Sequence, residues 1–99
     1  MVLAAYRAPW MATWDDHEVQ NDYAGNHGLG DARWPPLRAA AWQAYYEHMP
    51  LRASALVSSS FQGLQLYRRL AWGLLARLHM LDARQYRDRQ ACRPPGSRS

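Results

Sequence analysis

The sequence predicts an α/β chain of the α+β kind, with one clear helix and one β-hairpin. The helix is expected at about residues 35–49, because Pro35 and Pro36 suit a first helical turn and Pro50 ends the pattern. The hairpin is expected at about residues 64–82, because apolar and polar residues alternate there with the period of a strand. A single helix beside a short sheet is the architecture that these two patterns indicate.

The positions of proline and glycine help to predict the elements that precede the helix. Residues 1–8 have the spacing of a helix end that stops before Pro9. Residues 10–14 are rich in side chains that favour a pleated strand, and we expect a buried strand there. Residues 15–34 are expected to form a loop, in which three glycines permit positive φ angles: Gly25, Gly28 and Gly30.

The helix should pack through one apolar face, and the hairpin should follow a short connector. Residues 53–60 are small and polar, which is typical of a connector, and a turn is expected at residues 71–73. By composition alone, residues 74–81 are also compatible with a helix. Six side chains define the predicted core face of the helix, where the aromatic ones are expected to pack on a sheet: Leu37, Ala41, Trp42, Tyr45, Tyr46 and Met49.

Composition excludes several classes of protein. Ninety-nine residues form at most one small domain, and a single cysteine, Cys92, excludes an internal disulfide. The formal net charge is +4, with twelve arginines and no lysine, which we interpret as codon bias. The arginines are spread along the chain, so no nucleic-acid partner is expected. No signal peptide is visible, and no apolar run reaches the ~20 residues of a membrane span.

An acidic motif follows the predicted strand directly. Asp15-Asp16-His17-Glu18 precedes Asn21 and Asp22, and glycines follow. Carboxylate and amide oxygens are the ligands that hard cations prefer, and an imidazole can add a nitrogen ligand or transfer a proton. The alternative is a solvated loop in which Asp15 or Asp16 caps a short helix beginning at Glu18.

A second polar group stands at the end of the predicted hairpin. Because ligands in open α/β sheets bind beyond the carboxyl ends of strands, Asp82 is expected to meet Asp15 and Asp16 at one edge. Arg84 and Arg87 lie just past the same end, and a guanidinium there would bind a phosphate with two hydrogen bonds. An ion pair between Asp82 and either arginine, which would only order the loop, is equally compatible with the sequence.

The order of these residues resembles the PhoD-type alkaline phosphatases, a branch of the calcineurin-like metallophosphoesterases. The hexapeptide Trp14-Asp15-Asp16-His17-Glu18-Val19 is similar to the signature of that family. Residues 9–14, 39–52, 66–70 and 81–87 resemble the strand, the helix and the next two strands around it. Gln90-Ala91-Cys92 is similar to a Gln-Pro-Cys of the family, from which Ala91 departs.

The resemblance implies that residues 1–92 are part of a phosphatase domain, a piece of a two-layered sheet sandwich. Residues 93–99 have no periodic apolar residues, and a disordered tail is expected there. The resemblance also implies a metal-dependent hydrolase of phosphate esters that uses calcium (Ca2+) and iron (Fe3+). Asp16 and His17 would correspond to a metal ligand and to the general acid. Asp15 and Asn21 are further ligand candidates, Arg84 would contact the phosphate, and Glu18 would orient His17.

The remaining metal-binding motifs of the superfamily are absent from the sequence. There is no Asp-x-His before Pro9 and no Gly-His-x-His after Cys92. We therefore expect the chain to be inactive alone. Two alternatives remain open, a non-catalytic truncated remnant and a small arginine-rich binding module. A full-length relative is expected in the periplasm or secreted; the choice between monoester and diester substrates and the oligomeric state stay open.

Overall fold

A computed structural model describes residues 9–28 and 32–91, and it contains the predicted helix and the predicted hairpin. Helix α1 spans Trp34–His48, and a short 3-10 helix follows at Ala53–Ala55. Strands β1 (Arg68–Trp72) and β2 (Ala76–Met80) pair as a two-stranded antiparallel sheet. The α+β fragment is thus confirmed. The expectations for residues 1–8, Gly30, Cys92 and residues 93–99 lie outside the described ranges.

Helix α1 begins and ends where the prolines predict, but it buries a different face. Trp34, Arg38, Trp42 and Tyr45 are the buried residues of the helix, whereas Leu37 is 41% exposed. Burial of Arg38 has a structural reason, because its Nη1 donates to the Gly25 carbonyl (3.0 Å) and to Asn26 Oδ1. The guanidinium also lies over the Trp42 ring, 4.7 Å from its centroid. The apolar face predicted through Leu37 is therefore wrong at that position.

The core lies between α1 and two irregular segments of chain. Trp14 stacks on Trp42 with 5.1 Å between ring centroids, and Leu64 and Leu66 are fully buried beside them. Tyr45 completes this cluster against Trp14. The aromatic side chains of α1 thus pack on extended backbone before β1, and the expectation that they pack on a sheet is wrong within the described chain.

No strand forms at residues 10–14, contrary to the prediction. Ala12 and Trp14 are buried and Trp10 and Met11 are exposed, but no neighbouring strand in the described ranges pairs with this backbone. Side chains supply part of the missing pairing. Arg68 Nη2 donates to the Ala12 carbonyl (3.0 Å), and the Thr13 hydroxyl donates to the Leu81 carbonyl (3.2 Å). A pleated sequence becomes a strand only where a partner backbone is available.

The hairpin is shorter than predicted, and its turn is displaced. Pairing runs from Arg68 opposite Met80 to Trp72 opposite Ala76, so residues 73–75 form the turn in place of residues 71–73. Gly73 adopts φ +54°, a left-handed conformation that glycine tolerates. Leu64 pairs with Leu56 only as an isolated bridge. None of the helices in the described ranges has the length and apolar character needed to cross a bilayer.

Candidate functional site

The acidic motif forms a tight turn directly after buried Trp14. The Asp16 carbonyl accepts hydrogen bonds from the N–H groups of Val19 (2.9 Å) and Gln20 (2.7 Å). Glu18 reaches back, and its Oε2 accepts the Asp15 N–H at 2.9 Å. The turn does not continue into a helix, so the alternative of an N-cap is not seen here. Glu18 orients the backbone of the turn and not the His17 ring.

Asp16 is the buried carboxylate of the motif, with 8% of its surface exposed. Its Oδ2 accepts the Asp22 N–H at 2.7 Å, and Asp22 adopts φ +57°, which aims that N–H inward. This hydrogen bond lowers the pKa of Asp16 most, while burial opposes it; Arg84 and His17 lower it further. Asp16 is therefore held ionised in a fixed orientation.

Arg84 joins the hairpin's end to the acidic motif. Its Nε and Nη2 both lie 2.6 Å from Asp15 Oδ1, and Nη2 lies 3.4 Å from Asp16 Oδ1. The side chain of Arg84 is only 11% exposed, so Asp15 reaches inward to pair with it. The sequence predicts that Asp82 meets the two aspartates, with Arg84 just past the same edge; the contact in the structure is made by Arg84. It takes the form of an ion pair between residues 69 positions apart.

Asp82 forms hydrogen bonds with the backbone of its own loop and not with the two aspartates' ion pair. Its Oδ1 accepts the backbone N–H groups of Arg84 and Gln85, both at 2.9 Å. The proposed ion pair between the side chains of Asp82 and Arg84 is thus replaced by a backbone contact, and the guanidinium turns to Asp15. Because Asp82 fixes the loop, it fixes the direction in which Arg84 leaves the backbone.

Gln85 binds this loop to the core. Its side-chain amide accepts the Leu64 N–H (3.3 Å) and donates to the Leu64 carbonyl (2.6 Å), as a neighbouring strand would. Gly25 donates its N–H to the Arg84 carbonyl at 2.7 Å. A Cβ on Gly25 would lie 3.1 Å from the Gln85 carbonyl oxygen, so the two loops approach as closely as a glycine allows. The site is therefore built by a three-way contact of loops.

His17 is the exposed member of the site, with 78% of its side chain accessible. Its Nε2 lies 2.8 Å from Asn21 Oδ1, and Asn21 Nδ2 donates to Asp22 Oδ2 at 3.2 Å. Because the Asp22 carboxylate only accepts, the Asn21 amide is oriented with its oxygen toward His17, and Nε2 carries the proton. Nδ1 has no partner among the described residues and faces no competing group there.

The described residues do not fit a metal ion on their own. No group of three or more carboxylate, histidine or cysteine side chains within residues 9–28 and 32–91 is arranged to hold one. Asp15 and Asp16 each direct an oxygen at a guanidinium, which is itself a cation. Asn21 directs its amide oxygen at His17. The three predicted ligands are brought near one another, but Asp15 Oδ1, both carboxylate oxygens of Asp16 and Asn21 Oδ1 already have partners.

Sequence reasoning missed the part that two residues play in building the site: Asp22, which it named only beside the acidic motif, and Gln85. Asp22 acts through its backbone N–H, and a positive φ at a residue other than glycine leaves little trace in a sequence. Gln85 acts on Leu64, which is 21 positions away. No local pattern marks Gln85, because Arg84 and Gln85 lie in a bend and a turn, where the alternation of an extended chain does not apply.

The described α+β segment thus sets a buried aspartate, an exposed histidine and a largely buried arginine where loops meet. The whole chain, residues 1–99, matches the family of PhoD-like phosphatases. The chain belongs to that family.

Two relatives show how much of the family the chain represents. Alkaline phosphatase D of Bacillus subtilis (strain 168) is 52% identical over 92 residues, which cover 89% of this chain and 15% of that protein. A solved structure of PhoD superposes with a TM-score of 0.76 at 52% identity, covering 85% of this chain and 16% of the other. The chain thus spans about one-sixth of the length of the proteins it matches, and its resemblance to them is confirmed.

Proposed function

We propose that this chain is a segment of a phosphatase that hydrolyses phosphate esters, and that it contributes the turn bearing Asp16 and His17. The observation that supports this proposal most is that Asp16 and His17, although adjacent in sequence, differ in burial. Asp16 is buried and held ionised by the Asp22 N–H, whereas His17 is exposed with Nδ1 open. A fixed anion beside an accessible imidazole is suited to proton transfer at a substrate oxygen.

In the proposed reaction, His17 acts as the imidazolium, with Nε2–H held by Asn21. Its Nδ1–H protonates the leaving oxygen of the ester as the P–O bond breaks, water supplies the oxygen that phosphorus gains, and a neutral ring with its proton on Nε2 remains. Asn21 holds Nε2 and so determines which nitrogen faces the substrate. Arg84 is the candidate for contact with the phosphate, and that contact requires the guanidinium to move outward, because its Nη1 is buried without a partner among the described residues. Glu18 and Asp22 hold the turn in shape.

Metal dependence belongs to the proposal for the complete protein. The resemblance implies calcium and iron, for which Asp15, Asp16 and Asn21 are the ligand candidates. Calcium takes ~6–8 oxygen ligands, far more than this arrangement leaves open. Further ligands would have to come from chain beyond the described residues, and we assign no step of the reaction to a metal. Alone, the chain is proposed to be inactive.

The proposal is tested by transplanting the segment. Residues 9–91 replace the matching part of the Bacillus subtilis relative, and hydrolysis of p-nitrophenyl phosphate is measured. We expect the chimera to be active, whereas the isolated chain, with calcium and iron supplied, shows no turnover above background. In the chimera, Asp16→Ala should remove most activity, with Asp88→Ala, an exposed aspartate, as the control.

His17 is tested in the same chimera. His17→Ala should lower turnover by ~10²–10⁴, the usual contribution of a general acid, while metal content stays near that of the parent. Loss of the metals together with activity would show that His17 is a ligand. Unchanged turnover would contradict its proposed role as the acid. Turnover by the isolated 99-residue chain that Asp16→Ala abolishes would contradict the proposed inactivity.

A further inference from the structure

The two adjacent aspartates differ in how their charges are neutralised. Asp16 Oδ2 accepts a hydrogen bond from a backbone N–H, and Asp16 Oδ1 faces the charge of Arg84. Asp15 Oδ1 accepts two donors from the same guanidinium, while 71% of its side chain remains exposed. In this ion pair Arg84 is buried and Asp15 is exposed. The guanidinium thus occupies the protein side of the space where a cation would contact both aspartates.

The position of Arg84 is itself fixed, so it cannot leave that space at no cost. Asp82 binds the N–H of Arg84, Gly25 binds its carbonyl, and Gln85 next to it is fastened to Leu64. A buried guanidinium that lost Asp15 and Asp16 would remain as an unpaired charge, which is costly. The chain therefore favours the state in which arginine, and not a metal ion, neutralises the motif.

We infer that Arg84 is the resident counter-cation of Asp15 and Asp16 and that it excludes a metal ion from these carboxylates in this chain. The exclusion has two causes. The guanidinium already takes one oxygen of each aspartate, and its charge repels an incoming cation. The inference deepens the proposed function and rests on it for the choice of ion. Its test measures ion binding and not hydrolysis, so an inactive chain would leave the inference standing.

The experiment is a titration of the 99-residue chain with terbium(III), an oxygen-seeking ion whose emission is sensitised by a nearby indole; here Trp14 directly precedes the motif. In the parent chain, Asp16→Asn should leave terbium emission unchanged, because no ion binds there. In Arg84→Gln, affinity should rise at least about tenfold, since one repelling charge is removed at close range. Adding Asp16→Asn to Arg84→Gln should abolish the gain.

Two matched variants separate this effect from a general change of charge. Arg87→Gln removes the same charge three positions away and should bind terbium like the parent. Arg84→Lys keeps the charge and should also bind like the parent. Parent emission that depends on Asp16 would overturn the inference, as would an Arg84→Gln chain that gains no affinity. The first of these outcomes is observed with Arg84 in place, so it can be tested even if the arginine variants do not fold.

Discussion

At the scale of single residues, the site owes its shape to groups that act through the backbone. The Asp22 N–H aims at Asp16, and the Asp82 carboxylate aims at the N–H groups of Arg84 and Gln85. These contacts set two charged side chains, Asp16 and Arg84, face to face. The side chains predicted to do the chemistry are thus placed by hydrogen bonds between neighbouring carboxylates and backbone N–H groups.

Tyr23 is a buried residue whose hydroxyl has no hydrogen-bond partner within the described chain. Burial raises the pKa of Tyr23 well above its ordinary 10.0, and the neighbouring Trp42 offsets part of this increase. The folded state therefore holds the proton more tightly than the unfolded state. Stability from this difference is fully present below pH 10 and is lost progressively as the pH rises beyond it.

We predict that Tyr23→Phe makes the chain more resistant to alkaline unfolding than the parent. At pH 7 the free energy of unfolding should stay within about 1 kcal/mol of the parent, because an unpartnered buried hydroxyl contributes little. The measurement is urea denaturation at a series of pH values from 7 to 11. Tyr67→Phe, which alters an exposed ring, is the control. A steeper alkaline loss in Tyr23→Phe than in the parent would contradict the prediction.

At the scale of elements, two loop glycines in the described part of the chain have positive φ, and their surroundings differ. Gly25 (φ +52°) lies where the loop after the acidic motif meets the loop after β2, and its Cβ would lie 3.1 Å from backbone. Gly73 (φ +54°) lies in the hairpin turn with nothing within 4 Å. Both tolerate the left-handed conformation, but only Gly25 is also required by a close approach.

We predict that Gly25→Ala destabilises the chain more than Gly73→Ala. Each substitution costs ~1–2 kcal/mol for the left-handed backbone, and Gly25→Ala adds a contact with the Gln85 carbonyl. Urea denaturation gives the free energies of unfolding. Gly63→Ala is the control, because its Cβ would lie 3.7 Å from the nearest atom, a side-chain oxygen. Equal losses of unfolding free energy at Gly25 and Gly73 would show that the close approach of the loops does not affect stability.

The elements also show what the sequence could and could not predict. The prolines predicted the bounds of α1, and the alternation of apolar and polar residues predicted the hairpin, because both signals are local. The burial of Arg38 and the partners of Arg84 depend on contacts with distant segments. Local periodicity does not encode them. The strand expected at residues 10–14 is missing for a related reason, since its sequence suits a strand but its partner backbone is not among the described residues.

At the scale of the whole molecule, the hairpin presents apolar side chains that nothing in the described chain covers. They are Trp72, Leu74, Leu75 and Leu81, together with the partly exposed Leu78. Contiguous exposed apolar surface of this kind promotes association. The chain covers only 15% of its Bacillus subtilis relative, so much of the surface that a complete protein would bury is exposed in the isolated chain.

We predict that the isolated chain self-associates and that Leu74→Lys with Leu75→Lys reduces the association. Both leucines lie in the exposed turn, so the substitutions remove apolar surface without touching the core. Light scattering across a concentration series measures the association. The control adds the same charge at exposed polar positions, Ser59→Lys with Gln62→Lys. An equal reduction in the control would assign the effect to net charge and not to the hairpin.

The ion pair between Arg84 and Asp15 closes a loop of 69 positions in a chain of 99 residues. Closing so long a loop is slow relative to forming α1 or the hairpin, whose contacts are local. We therefore expect the carboxylates of the acidic motif to meet their counter-charge late in folding, after the helix and the hairpin have formed. On a growing chain, Asp15 and Asp16 emerge long before Arg84, and until then they remain open to any cation in their surroundings.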